Sequence, residues 1–374
     1  MKPEDARSIP DQITEIPPYP EVSFIKAPYL QWPTAQSVFL LAETIEETPL
    51  HIVLTGDDTE QHFVTMPFQP DFNFLTAPMP GLDGWFHQVE LPVPDGETQF
   101  SLSIVNAPDY HRDVVLPQSL ESFVMVAFGD TRSNTEKHQM VSDLIATENP
   151  LVVLHSGDLM SSGLEVSQWN EFFDIESALL TNSFYLPVFG NHELGGETYY
   201  YGLFETGNNF HSERNWVADL GQVVIIGVEQ YTTHWNYNVD GQFWLEENLK
   251  KYQDRPWLFF SHHEPMYTWS SHGPWMGGRE VVQPLLEQYG VDMVISGHNH
   301  CYERFEVNGI QYIVSGGGGA PLYSTGSGPE EEYDIAMNWG KLYHYLRMEI
   351  SPETVKVTVI DAEEQTVFEE FTLE

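Results

Sequence analysis

Short apolar runs, separated by proline, glycine and aspartate, set the pattern of this chain. Between Val22 and Ala107 the runs SVFLLAE, LHIVLTG, HFVTMPF, FNFLTAP, GWFHQVEL and TQFSLSIVN recur about every ten residues, a rhythm that predicts an all-β sandwich over 23–117. Asp109 to Ser122 reads as a linker or an edge. From Phe123 the pattern changes to strand, helix, strand. Asn134 can cap a helix whose apolar positions Met140, Val141, Leu144 and Ile145 repeat at helical spacing. Glu165 to Leu180 and Gly241 to Tyr252 are predicted as the next helices. Such alternation implies α/β layers over 118–374. Beyond Ser315 the strand type returns in YLRMEIS, TVKVTVI and TVFEEFTL. No internal repeat is visible.

Five of the apolar runs end in residues that bind metals. FVMVAF leads to Gly129-Asp130-Thr131-Arg132, LVVLHS to Gly157-Asp158, and FYLPVF to Gly190-Asn191-His192-Glu193. WLFFS leads to His262-His263-Glu264-Pro265, and VDMVIS to Gly297-His298-Asn299-His300. A glycine before the ligand lets the chain turn sharply and approach an ion. The carboxyl ends of strands are where α/β sheets place their sites. Taken singly, Gly-Asp or Gly-Asn-His is a turn signal. In this order the segments supply three oxygen ligands and three imidazoles, enough for two adjacent metals sharing a bridging carboxylate. On a strand His262 and His263 point to opposite faces, so one of the two should ligate. His155 reads as a core or supporting histidine.

The ordered set resembles the calcineurin-like metallophosphoesterases. Gly297-His298-Asn299-His300-Cys301-Tyr302-Glu303-Arg304 looks like the GHxHxYER block of the purple acid phosphatase branch. His263-Glu264-Pro265-Met266-Tyr267 is similar to its H-x-P-x-Y segment, a spacing that favours His263 over His262. Ala27-Pro28-Tyr29-Leu30-Gln31 looks like the opening of the family's N-terminal domain. The resemblance covers nearly the whole chain beyond residue 22. It implies a fibronectin III-like sandwich followed by a catalytic domain of two mixed sheets flanked by helices, in four layers. It also implies two ions per chain, of iron, zinc, manganese or a mixed pair. Asp130 would ligate the first and Asp158 would bridge. Asn191, His263 and His298 would bind the second, and His300 would return to the first. His192 and His272 would face the phosphate. The implied activity is hydroxide attack at a dinuclear centre on phosphate monoesters. Phosphodiesters such as cyclic nucleotides or glycerophosphodiesters are the alternative, and a weak binding protein with a decayed first metal site is another.

Two departures bear on the first metal. The purple branch has tyrosine three residues after the bridging aspartate, where this chain has Ser161. Other branches have histidine two residues after the first aspartate, where this chain has Arg132. The first metal is therefore expected to be poorer in ligands. The colour that tyrosinate gives to iron should be missing, unless Tyr199, Tyr200 or Tyr201 takes its place. Arg132 can reach the phosphate with its planar fork of donors, or pair with a nearby carboxylate.

Composition limits the partners. The 56 acids against 15 lysines and arginines give a net charge of −41. At low salt such a surface repels nucleic acid and anionic membranes, and the small phosphorylated substrate is what the resemblance implies. The excess suits a protein secreted into saline water, where charges are screened within about 8 Å; a merely acidic protein is the other reading. No apolar run approaches the roughly 18 residues of a membrane helix. The single cysteine, Cys301, excludes an internal disulfide framework and reads as packing. Met1-Lys2-Pro3-Glu4 carries no apolar core of an export signal. Residues 1–22, rich in proline and acid, read as a spacer after a removed signal, which implies a secreted or periplasmic protein. A cytoplasmic protein with a frayed amino end is the alternative. The Gly316 to Gly319 run lies between strands and reads as a flexible pocket rim.

Overall fold

The structure, a computed structural model, describes residues 18–69, 84–93, 97–206, 213–231 and 239–374. The run FNFLTAP falls outside them. The first seven strands are β1 (Phe24–Gln31), β2 (Ser37–Thr44), β3 (His51–Thr55), β4 (Glu60–Val64), β5 (Trp85–Pro92), β6 (Gln99–Ile104) and β7 (Ala107–Val115). β1, β2 and β5 lie side by side, and β4-β3-β6-β7 form a separate antiparallel sheet. Leu40, Ile52, Phe63 and Leu102, buried in one apolar cluster, fill the space between them. Half of the 109–122 segment, read as a linker or an edge, is strand β7, at the edge of the second sheet.

The remaining strands are β8 (Phe123–Phe128), β9 (Val152–His155), β10 (Phe184–Pro187), β11 (Trp216–Asp219), β12 (Val223–Gly227), β13 (Trp257–Ser261), β14 (Met293–Ser296), β15 (Tyr302–Val307), β16 (Ile310–Ser315), β17 (Ala336–Gly340), β18 (His344–Ile350), β19 (Val355–Asp361) and β20 (Thr366–Leu373). They build two mixed sheets, ordered β20-β19-β18-β8-β9-β10-β1-β2-β5 and β11-β12-β13-β14-β16-β15-β17. The sheets share a core, and strand periodicity shows which face meets it. Val223, Ile225 and Phe259 of the second mixed sheet join the apolar cluster of the first. Their neighbours Val224, Ile226, Leu258 and Phe260 pack outward against Leu245, Leu249 and Leu286.

Those three leucines belong to the helices covering the second mixed sheet. Among the described residues the α-helices are α1 (Thr135–Thr147), α2 (Val166–Ile175), α3 (Ser177–Asn182), α4 (Glu197–Leu203), α5 (Val239–Tyr252) and α6 (Gln283–Gln288), and the three leucines lie on α5 and α6. Asn134 caps α1, its side chain accepting from the Lys137 amide at 3.3 Å. The single helix expected over 165–180 is two. The break falls at Glu176, which is fully buried and leaves helical geometry at ψ 4°. Its carboxylate is taken by His138 Nε2 at 2.7 Å and by the Tyr185 hydroxyl at 3.4 Å, so buried polar bonds override the local helical preference. No helix among the described residues is long and apolar enough to cross a membrane.

The sandwich is not walled off from the mixed sheets. β1 pairs in parallel with β10 through Leu30 and Phe184, so the three-stranded half of the sandwich continues the first mixed sheet. Buried Gln31 donates to the Tyr185 carbonyl at 3.0 Å and accepts from the Glu205 amide at 2.7 Å. Lys26 pairs with buried Glu43 and reaches Asn170 of α2 at 2.8 Å.

His87 on β5 carries a pH prediction. Its ring is buried between Thr65, at 2.7 Å from Nδ1, and Thr44, at 3.0 Å from Nε2. Burial lowers it from 6.5 to about 3. The unfolded chain therefore takes up this proton first, and the stability present above 6.5 is lost as pH falls from 6.5 towards 3. The slope is about 1.4 kcal/mol per pH unit. His87→Gln should remove that slope, read as the urea midpoint at pH 7 and pH 5. Equal acid sensitivity in both proteins would refute the assignment.

Candidate metal centre

The parallel strands β8, β9 and β10 of the first mixed sheet and β13 and β14 of the second direct their carboxyl ends to one place. The loops there hold unusual backbone. Asp130, Asp158 and His298 lie at φ 60°, 58° and 67°, the left-handed region that L residues seldom adopt. Each is held by its own amide. Asp130 N–H donates to the Gly157 carbonyl at 3.0 Å, Asp158 N–H to Glu193 Oε2 at 3.1 Å, and His298 N–H to Asp130 Oδ2 at 2.8 Å. Gly297 must be glycine, because a Cβ there would lie 2.5 Å from Asp130 Oδ2.

The side chains converge in two groups that share one carboxylate. Asp130, Asp158 and His300 offer ligand atoms within 4.8 Å of one another, and so do Asp158, His263 and His298. Asp158 is the common member, in the place expected of a bridge. Asn191 joins the second group, its Oδ1 3.1 Å from His298 Nδ1. The tautomers suit ligation. His263 Nδ1 donates to the Ser156 carbonyl at 2.8 Å and His300 Nδ1 to the Pro321 carbonyl at 2.8 Å, which turns both Nε2 atoms inward; on His263 a metal ion would take the place of the proton that Asp158 favours there.

Buried atoms without partners show that these residues fit metal ions. Asp130 Oδ1 and His263 Nε2 are both buried with no hydrogen bond. His263 Nε2 stands 3.2 Å from Asp158 Oδ1, a charge contact without hydrogen-bond geometry. Buried polar atoms left so are costly unless something else satisfies them. Carboxylate, amide oxygen and imidazole are the donors that divalent and trivalent first-row ions take.

The electrostatics agree. Burial alone would raise Asp158, but the His263 charge beside it, helped by His192, holds its carboxyl well below the usual range. Burial, reinforced by the charge on His263, pushes His298 down to about 3, so its ring is neutral and able to ligate. His262 settles the choice between the two neighbours. It lies among Phe260 and Trp275 and belongs to neither ligand group, whereas His263 does. His263 is the histidine in the cluster.

Three further expected residues surround the ligands. His192 donates its amide to Asp158 Oδ1 at 3.0 Å, and its Nδ1 lies 2.6 Å from the Ser161 carbonyl. Its Nε2 is therefore left 3.8 Å from Asp158 Oδ2, at the open side. His272 is exposed at the rim, its ring 4.7 Å from that of His298. Arg132 takes the carboxylate of its two expected partners: Nε donates to Asp158 Oδ2 at 3.1 Å and Nη2 lies 3.2 Å from His300 Nε2.

Several residues have roles that the sequence does not reveal. Glu193 is fully buried and accepts from the amides of Gly190, Asp158 and Leu159 at 2.6, 3.1 and 2.9 Å, clamping the second and third ligand loops together. Glu303 accepts from Thr268 Oγ1 at 2.5 Å and from the Trp269 amide at 2.9 Å, and it binds Thr325, fixing the segment that leads to His272. Tyr323 stacks on His300 with ring centres 4.0 Å apart. It replaces Tyr199, Tyr200 and Tyr201 as the tyrosine beside the first group; Tyr199 and Tyr200 are core residues, and the Tyr200 hydroxyl donates to the Pro187 carbonyl. The Gly316–Gly319 run is a buried wall rather than a flexible rim. A Cβ at Gly316 would strike the Asn299 carbonyl and Asp130 Oδ2, so only bare backbone fits behind the ligands. His155, with Nε2 3.2 Å from Thr131 Oγ1 and Nδ1 accepting from the Gly157 amide at 3.2 Å, braces two ligand loops, and Cys301 is buried packing.

Comparison with known proteins agrees with this geometry. Residues 123–302, from the start of β8 to the beginning of β15, match the calcineurin-like phosphoesterase family. That stretch is a calcineurin-like phosphoesterase domain. The chain is 28% identical over 254 residues to a protein of Arabidopsis thaliana named "Probable inactive purple acid phosphatase 1", covering 57% of this chain and 40% of that one. It is 28% identical over 236 residues to a nucleotide pyrophosphatase/phosphodiesterase of Hordeum vulgare, covering 50% and 61%. The chain thus spans less than two thirds of the length of these relatives. The fold matches a purple acid phosphatase from yellow lupin seeds, Lupinus luteus, with a TM-score of 0.77 at 17% identity, over 92% of this chain and 73% of that one.

Proposed function

We propose that this phosphoesterase hydrolyses phosphate monoesters at a pair of metal ions held by Asp130, Asp158, Asn191, His263, His298 and His300. The observation that carries the reading is the single buried carboxylate, Asp158, common to both ligand groups. Bound there, two ions would polarise the phosphoryl oxygens and acidify water for in-line displacement. The chain's own groups do the rest. The Ser161 carbonyl fixes the His192 ring so that Nε2 faces the phosphate, where it stabilises charge developing on oxygen. His272, exposed beside His298, is placed to give a proton to the leaving alkoxide. Buried Glu193 and Glu303 hold these loops without touching the reacting atoms.

Metal-reconstituted protein assayed on a panel of mono- and diesters tests the reading. Turnover of alkyl and aryl monoesters well above that of diesters is expected. A preference for diesters would favour the second reading, which rests on similarity to the barley nucleotide pyrophosphatase/phosphodiesterase. Absence of turnover on every ester, with metal bound, would remove both.

Colour gives an independent check. With Ser161 in place of the ligating tyrosine, iron-loaded protein should lack the strong visible band of tyrosinate-iron charge transfer. If the band is present, Tyr323→Phe is the variant to examine first, because Tyr323 lies against His300.

A further inference from the structure

The two ligand groups differ in what their atoms already do. In the second group, His263 Nε2 has no hydrogen bond and faces Asp158 Oδ1 at 3.2 Å, and the hydrogen-bond contact between ligand side chains is the neutral His298 Nδ1 to Asn191 Oδ1 at 3.1 Å. In the first group, Asp130 Oδ1 is without a partner, but the other two ligand atoms are engaged by one side chain. Arg132 Nε donates to Asp158 Oδ2 at 3.1 Å, and Nη2 lies 3.2 Å from His300 Nε2. The His300 ring donates through Nδ1 to Pro321, so Nε2 has one lone pair to offer. A guanidinium proton and a metal ion cannot both use that pair. The guanidinium is also always charged, and it neutralises the bridging carboxylate as an ion would.

The surroundings give Arg132 somewhere to go. A cavity of about 240 Å³ opens beside it, lined by Ser133, Thr135, Ser161, Gln168 and Glu171. Ser161 leaves this space open where a tyrosine would project. Ser133 Oγ, already 3.3 Å from Arg132 Nη1, stands on that side. Glu171 supplies a carboxylate there to receive the charge.

We infer that Arg132 is a displaceable cation at the first metal position: the chain binds one ion tightly through Asp158, Asn191, His263 and His298, and takes a second only by driving the guanidinium into the adjoining cavity. This rests on the metal-site part of the proposed function and needs nothing of its chemistry. The first ion must break two charge-assisted hydrogen bonds where the second meets one neutral contact, His298 Nδ1 to Asn191 Oδ1, so the first ion's affinity is lowered by about tenfold to a hundredfold.

Zinc binding to chelator-stripped protein, followed calorimetrically and by metal analysis after dialysis, tests this without substrate. Wild type should take zinc in two separate steps and keep one ion per chain after dialysis. Arg132→Gln removes the cation and should tighten the weaker step by about tenfold or more, keeping two ions. Two ions bound with equal affinity by wild type would overturn the inference, and so would an unchanged weak step in R132Q. Should R132Q fail to fold, shown by loss of its thermal transition, the wild-type titration decides alone. Two-step binding by a protein that hydrolyses no ester would leave the inference standing and remove the function proposed above.

Discussion

Asp158→Asn should lower turnover of a phosphomonoester by about a thousandfold or more. Asp158 is the one side chain in both ligand groups, it is buried, and its carboxyl is held well below the usual range once the surrounding histidines outweigh burial. Asparagine keeps the shape, so the Arg132 and His192 contacts have a partner of the same size, but the shared negative charge is gone. Metal clamps contribute several kcal/mol of charge stabilisation in such reactions, and each 1.36 kcal/mol is tenfold in rate. The measurement is turnover beside metal content. Near-normal turnover with two ions still bound would end the bridging role.

Metal ligands and proton donors among the histidines should separate cleanly. His263→Ala is expected to lose metal from the second group, because the methyl offers no lone pair where Nε2 now faces Asp158 at 3.2 Å. His192→Ala and His272→Ala should keep metal and lose rate by about 10²–10⁴-fold. The loss at the proton donor should shrink for nitrophenyl phosphate, whose leaving group needs no proton, and appear in full for alkyl phosphates. Metal loss from His272→Ala, or an equal rate loss on both esters, would make His272 a ligand or a packing residue.

What the sequence makes legible is local. Each ligand follows an apolar run and a turn, so the strand ends and the loop chemistry are written next to each other. The distance to Pro265 and Tyr267 selects His263, and that residue, not His262, stands in the candidate metal cluster. What stays hidden depends on partners far along the chain. Glu193 and Glu303 sit inside recognisable segments, but their bracing role shows only when the amides and hydroxyls that they bind come together from other loops. Tyr323 lies 23 residues beyond the ring that it covers and carries no motif. The break in the helix at Glu176 comes from His138 and Tyr185, not from any helix breaker. A glycine run often means slack; here it is bare backbone packed behind Asp130. The runs at 37–55 point to a sandwich, but nothing near Leu30 announces Phe184 as its neighbour.

That last pairing governs how the protein can be made. Once a nascent chain has passed residue 190, β8, β9 and β10 can pair, and β1 is already available to cover the β10 side. The β8 side has no such cover until residues 344–350 leave the ribosome, because β18 is its neighbour. An open strand edge of this kind invites pairing with another chain, and non-local sheets are slow to close. The second mixed sheet and both ligand loops of residues 263–300 are synthesised within that interval. Chains arrested before residue 344 should therefore be the aggregation-prone species, and the metal-binding loops are complete before the sheet beneath them is sealed.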